Sequence, residues 1–281
     1  MVESIRDAGV PLGKIDDIVR LKGLTNRNYR VDTSDNSFVI RLPGTGTDEY
    51  IDRRAEANNA RLAADWGLAP PLVYSDISTG VSLSAFVRHG KTLSATDCQE
   101  VQTLERIAQL LHRLHSNNPI FASTLPSAQL FDTYLEIASR TRGLHEVCSL
   151  LRQRALPILR QQTGSTTLTP CHVDPNPANF LDDGDRLWLV DWEYSANTNP
   201  MWDLACLSLE ANLSRSLRTH LLESYQPIDT ETIQSDFENY VRWVGLINLA
   251  WSAAQIGQGN DNTDFLEDFH YRLNQWELEF S

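Results

Sequence analysis

Residues 172–194 read HVDPNPANFLDDGDRLWLVDWEY, and the rest of the chain is most easily read outward from them. The run NFLDDGDRLWLVDWE, residues 179–193, holds two short apolar stretches around Asp183-Gly184, a strong hairpin signal. His172, Asp174 and Asn179 precede the first of these strands, and Asp191 stands at the end of the second. Because a hairpin returns the chain on itself, Asn179 and Asp191 are expected on the same edge, with Asp174 in the loop beside them. Oxygen ligands converging at one point suit Mg²⁺, a hard cation that takes few protein oxygens and leaves its other positions to phosphates and water. Asp174 is then free to accept a proton from an attacking hydroxyl. One base plus an Asn/Asp pair on a metal is the machinery of phosphoryl transfer.

Upstream, DDIVRL, NYRVDT and SFVIRL read as three short strands separated by KGLTNRN and SDNS, an antiparallel meander. A helix is expected from Thr47 onward, with a Thr/Asp cap signal, Ile51, Ala55, Leu62, Ala63 and Trp66 on a helical period, and Gly67 as its stop. PPLVYSD and VSLSAFV then look like two further strands. Beyond Leu93 the pattern is helical apart from the hairpin, with no internal repeat and no low-complexity tract. The fold class expected is α+β, with a small antiparallel β-rich lobe over residues 1–88, a hinge at 89–92 and a larger, mainly helical lobe over 93–281.

The composition, 41% hydrophobic and 22% charged over 281 residues, is that of a globular protein and excludes a disordered or fibrous chain. Four cysteines without a CxxC pair point to reduced thiols and a cytoplasmic setting rather than a zinc ribbon. MVESIRDAGVPLG has no apolar signal region and no stretch approaches 18 apolar residues, so neither secretion nor a membrane span is expected. The net charge is −13, and residues 226–281 carry ten acidic residues against two arginines. Such a surface repels nucleic acid and attracts a small cation, although solubility alone also accounts for it.

The spacing H-x-D-x₄-N followed by an apolar hairpin ending in Asp resembles the catalytic loop and metal-binding aspartate of the protein-kinase-like fold. DWEY at 191–194, followed by NPMWDLA, is similar to the choline/ethanolamine kinase group, including LicA-type enzymes, within the aminoglycoside phosphotransferase superfamily. KGLTNRNYRV resembles that group's nucleotide loop, FVIRLPG its third strand, and RRAEANNARLAADWGLAPPLVY the helix and strand after it. The likeness runs from about residue 20 to about residue 260 in matching order. It implies an ATP- and Mg²⁺-dependent kinase of a small amino alcohol, with choline the foremost acceptor. Asp174 is then the catalytic base, Asn179 and Asp191 the metal ligands, Arg41 a phosphate contact paired with Glu56, and Thr25, Asn26 and Asn28 the cover over the phosphates. The chain departs from the protein-kinase pattern in having arginine at position 41 and a single glycine, Gly23, in the nucleotide turn; an arginine fork still grips phosphate oxygens.

Several residues admit a plainer explanation. His172 reads as a hydrogen-bonding brace for the loop, and Asp203 as a cap or loop support. LPGTGTDEY reads as a strand-to-helix turn rather than a phosphate cradle, and His112 and His115 as the surface and end of a helix rather than a metal site. A quaternary ammonium would be held over aromatic faces with carboxylates nearby; Glu193, Tyr194, Trp251 and Trp243 are the candidates. Trp243, Ile247 and Trp251 recur at i, i+4 and i+8, so the two tryptophans could equally be core. Two rival functions remain open at this level. One is a kinase of ethanolamine, thiamine, an aminoglycoside or another small alcohol; the other is a catalytically silent nucleotide-binding protein of the same fold.

Overall fold

Alternating side chains in the second and third strands point Val31 and Ile40 inward, where they meet Leu12 and Leu83 in a small core of their own. The computed structural model describes residues 12–21, 23, 26–44, 51–118, 120–161, 168–225, 230–259 and 263–280. Strands β1 (Ile15–Arg20), β2 (Arg27–Thr33), β3 (Ser37–Leu42), β4 (Leu72–Ser75) and β5 (Ser82–Ala85) form one antiparallel sheet in the order β1-β2-β3-β5-β4. Helix α1 (Arg53–Asp65) interrupts the meander between β3 and β4. Its cap is Asp52, whose carboxylate accepts from the amides of Arg54 and Ala55 at 2.9 and 3.1 Å. The cap expected at Thr47 and Asp48, like the Gly46 turn, lies outside the described residues. Gly67 ends the helix in the left-handed region, at φ +69°.

The connection expected at 89–92 itself carries a strand, β6 (Lys91–Thr92). The larger lobe opens with α2 (Ala95–Gln99), α3 (Val101–His115), α4 (Ser127–Ser139) and α5 (His145–Gln161). It continues through β7 (Thr169–Cys171), a 3-10 turn at Pro177–Asn179, the hairpin β8 (Phe180–Asp182) and β9 (Leu187–Leu189), and β10 (Ala196–Thr198). Helices α6 (Met201–Glu210), α7 (Arg215–Tyr225), α8 (Thr230–Gly257) and α9 (Thr263–Phe280) complete it. β6 pairs with β8 and so extends the hairpin into three strands. β7 pairs with β10, an addition to the helical reading of this lobe; three-residue strands reading TPC and ANT carry no alternation that could announce them. Among the described residues no helix is long and apolar enough to cross a membrane.

One buried carboxylate organises the centre of this lobe. Asp203, in the first turn of α6, has no exposed surface. Its Oδ2 accepts the amide of His172 and its Oδ1 the amide of Val173, each at 2.8 Å, while Trp202 Nε1–H donates to the Val173 carbonyl at 2.9 Å. Val173 stands at φ +73°, a conformation that a β-branched residue adopts only when its surroundings compel it. The same Asp203 Oδ2 lies 3.0 Å from His115 Nε2, and His115 Nδ1 lies 2.8 Å from the Tyr225 hydroxyl. Asp203 already accepts two backbone amides, so Nε2 carries the proton and Nδ1 accepts from Tyr225. His115 ends α3 as expected and is also a buried member of this hydrogen-bonded chain; its acidic partner is 88 residues away in sequence and invisible to local pattern. Cys171 joins His115 and Asp203 in a buried cluster, but the oxygens of Asp203 and both ring nitrogens of His115 are already engaged.

This arrangement fixes an order of effects. His115→Ala strands both Asp203 and Tyr225 and is expected to lower stability by about 2–4 kcal/mol in urea unfolding, whereas Tyr225→Phe, which removes only the outermost bond, costs about 1 kcal/mol. Equal losses would contradict the chain. All four cysteines are buried, and burial pushes the Cys98 thiol up to about 12 and Cys171 and Cys206 well above their ordinary value. A disulfide reagent should therefore titrate no thiol rapidly in the native protein and four after unfolding.

Candidate active site

Asp174 follows the strained Val173 and is half-buried. Asn176 Nδ2 and Asn179 Nδ2 donate to its Oδ2 at 3.0 and 3.2 Å, and Asn179 Nδ2 also reaches the Asp174 carbonyl at 2.8 Å. Burial pushes the Asp174 carboxyl well above the usual carboxylate range; Asn176 opposes this, and the charges of Glu210, Asp191 and Glu193 add to it. His172 is kept neutral by burial. Its Nε2 donates to the Val190 carbonyl at 2.9 Å and its ring meets Trp192 edge-on at 4.7 Å, so it ties the loop before Asp174 to the strand before Asp191.

The hairpin brings Asn179 and Asp191 to one edge: the Val190 amide donates to the Asn179 carbonyl at 3.0 Å. Asp191 lies one residue beyond β9's last neighbour, at φ +67°. Because the Asn179 amide nitrogen is turned onto Asp174, its Oδ1 is the atom left for a cation, and the Asp191 carboxylate retains exposed surface (26%). One carboxylate and one amide oxygen make a hard donor set that fits Mg²⁺.

The smaller lobe closes on Asp191 from the other side. Asn26 Nδ2 donates to its two oxygens at 3.2 and 3.1 Å while Asn26 Oδ1 accepts the Gly44 amide at 3.1 Å. Arg41, on β3 opposite Asn28 of β2, pairs with Glu56 of α1 and with Glu193, and its Nε lies 3.1 Å from Asp191 Oδ1. Arg53 adds a second guanidinium, 2.9 Å from Glu56 and 3.7 Å from Glu193. Burial pulls the Arg41 pKa down, but Asp191, Glu193 and Glu56 outweigh it and hold the group above the ordinary guanidinium range. Burial and the charge of Asp191 raise Glu193 to about 7 against the opposing charge of Arg41. Glu193 was expected beside a substrate cation; it is instead buried and committed to Arg41 and Arg53. Asn28 Oδ1 is buried without a hydrogen-bond partner among the described residues, and Thr25 lies outside them.

Beyond Asp191, Tyr194 meets the helical part of the lobe: Trp251 Nε1–H donates to its hydroxyl at 3.2 Å. One turn earlier on α8, Asn248 Nδ2 donates to Glu210 at 2.8 Å. Both tryptophans share α8, yet Trp243 has no exposed surface; it packs on Phe131 at 5.3 Å and donates to Ser127 Oγ at 3.2 Å. Trp243 is core, because a helix covered by α4, α6 and α9 buries nearly every face at that level. Sequence reasoning passed over three residues. Arg53 was legible only as an i, i+3 partner of Glu56. Asn59, fully buried, crosses between the lobes to the Ser195 carbonyl at 2.8 Å. Glu210 stands seven residues after Asp203, two helical turns along the same face.

The comparisons with known proteins agree with this geometry. The phosphotransferase enzyme family (APH) matches residues 17–235. Protein LicA of Haemophilus influenzae is 30% identical over 205 residues, covering 72% of this chain; the chain spans 60% of that relative's length. The crystal structure of a choline/ethanolamine kinase family protein from Mesorhizobium loti is similar with a TM-score of 0.79 at 27% identity, covering 99% of this chain and 94% of that one. Choline kinase LicA from Streptococcus pneumoniae shares the fold with a TM-score of 0.84 at 23% identity, over 98% and 99% of the two chains. With its two-lobe α+β kinase-like fold and a family match spanning most of its length, the chain belongs to the phosphotransferase enzyme family.

Proposed function

We propose that the protein transfers the γ-phosphoryl group of ATP, with Mg²⁺, to the hydroxyl of a small amino alcohol, choline foremost. The observation that carries this is the convergence of Asp174, Asn179 and Asp191 at one edge of a hairpin, with Arg41 drawn onto the same Asp191 from the opposite lobe. The likeness to LicA and to a choline/ethanolamine kinase family protein supports the acceptor class.

Each residue then has a task. Asp174 accepts the proton of the acceptor hydroxyl as that oxygen attacks the γ-phosphorus; the new O–P bond forms as the bond to the ADP oxygen breaks. Burial first, and then the neighbouring carboxylates, disfavour the ionised form of Asp174, and a cationic group bound beside it works in the opposite direction. Asn179 Oδ1 and Asp191 would hold Mg²⁺, which would supply positive charge against the phosphates. Arg41, held by Glu56 and Glu193, presents its remaining donor capacity to phosphate oxygens, and Asn26 and Asn28 line the turn above them. Tyr194 and Trp251 supply aromatic surface for an ammonium group, with the carboxylate of Glu210 taking the part first given to Glu193. His172 and Asp203 hold the loop and touch no reactant.

ADP release should be followed with ATP, Mg²⁺ and a panel of choline, ethanolamine, thiamine and an aminoglycoside. Choline is expected to give the highest kcat/KM, and Asp174→Asn to lower kcat by about 10²–10⁴ while nucleotide still binds. Preference for another acceptor would keep the phosphotransferase and discard the ammonium site; undiminished turnover in Asp174→Asn would remove the base. In a nucleotide titration, Asp191→Ala should abolish the gain in affinity that Mg²⁺ brings, and an unchanged gain would move the metal elsewhere.

A further inference from the structure

The carboxylate of Glu210 ends helix α6, where the negative end of the helix dipole already favours a cation. In the structure a cation is there. Arg272, from the last helix, pairs with both oxygens of Glu210: Nη1 with Oε1, and Nη2 with Oε2 at 3.0 Å. The two side chains are 27% and 17% exposed. Asn248 holds Oε1 from the side at 2.8 Å, and Trp251, three residues further along α8, holds Tyr194. Glu210 is thus linked through Asn248 to the turn of α8 that carries Trp251, and lies two turns along α6 from Asp203, which holds the loop before Asp174. The fully buried Cys206 between them feels Asp174, Glu210 and Asp203 on one side of the balance and Arg272 on the other.

We infer that Arg272 and the acceptor's cationic head compete for Glu210, so that acceptor binding exchanges one cation for another there. The inference rests on the amino-alcohol reading above. Either cation leaves Glu210 with one positive partner. The exchange needs no movement of the helix. Phe269 and Trp276, three residues before and four after Arg272, are buried. Trp276 also donates to the Arg242 carbonyl at 3.1 Å and fits against Gly245, where a Cβ would come within 2.7 Å of its ring. Between these anchors the guanidinium stands on a long side chain whose rotamer can change. An acceptor without a positive charge cannot replace it at Glu210, so the internal competitor selects for cationic alcohols and weakens their apparent affinity by the fraction of time it is seated.

The test is calorimetric titration of tetramethylammonium, together with the KM for choline, in the full-length protein. Arg272→Gln should bind tetramethylammonium about five- to tenfold more tightly and show a matching fall in KM. Arg272→Lys, which keeps a competing charge, should stay closer to the parent. Unchanged or weaker binding by a folded Arg272→Gln protein overturns the exchange. Glu210→Gln gives an independent check: it should lose tetramethylammonium binding at least tenfold, and retention of the parent's affinity also overturns the proposal. The two readings fail differently. If the parent binds and the variants do not shift as stated, only the exchange falls; if the parent ignores tetramethylammonium and phosphorylates an uncharged alcohol, the amino-alcohol reading falls and takes the exchange with it.

Discussion

The grip of Asp203 on the backbone of His172 and Val173 is the constraint on which the active site depends. A left-handed valine is costly by itself, and here both its amide and its carbonyl are fixed, by Asp203 and by the indole of Trp202. The strain has a geometric result: the chain leaves the line of β7 just before Asp174. The carboxylate that does this is in turn fixed by His115 and, through it, by Tyr225, so α3, α6 and α7 all bear on the position of one loop. Removing a partner from such a buried chain leaves a charge without compensation, which is why its members are expected to act on stability and geometry together.

The second constraint is electrostatic and joins the lobes. Arg41 from the sheet and Arg53 from α1 meet Glu56 of the same lobe and Asp191 and Glu193 of the other. Three carboxylates against two guanidiniums leave a negative balance, and Glu193 carries part of the consequence in its raised pKa. A site so charged accepts further cations readily. The second cleft wall repeats the theme with Glu210, where the structure supplies a guanidinium of its own. Asn59 adds an uncharged tie between α1 and the chain after Asp191, so the two lobes are held by neutral as well as ionic bonds.

The fold was legible wherever the pattern was local. Alternation marked the meander, a 3.6 period marked α1 and α8, and Asp183-Gly184 marked the hairpin; the juxtaposition of Asn179 and Asp191 follows from that hairpin alone. What escaped was set by contacts distant in sequence. The buried partner of His115 was hidden because Asp203 is far along the chain, and Glu193 looked like a free acid beside Asp191 because Arg53 had no evident reason to face it. Trp243 and Trp251 are indistinguishable by period on one helix; only packing shows that the first is sealed by Phe131 and the second reaches Tyr194. Glu210 lacked any motif, and its place two turns along α6 matters only once Asp203 is known to bind the loop before Asp174.

The central claim, that Asp174 deprotonates an amino alcohol for attack on ATP, is tested most directly by identifying the phosphorylated product. Phosphorus NMR of the protein with ATP, Mg²⁺ and choline should show a choline phosphomonoester accumulating in step with ADP, and none in the Asp174→Asn protein. Inorganic phosphate in place of the monoester, or the same monoester yield from Asp174→Asn, would contradict it.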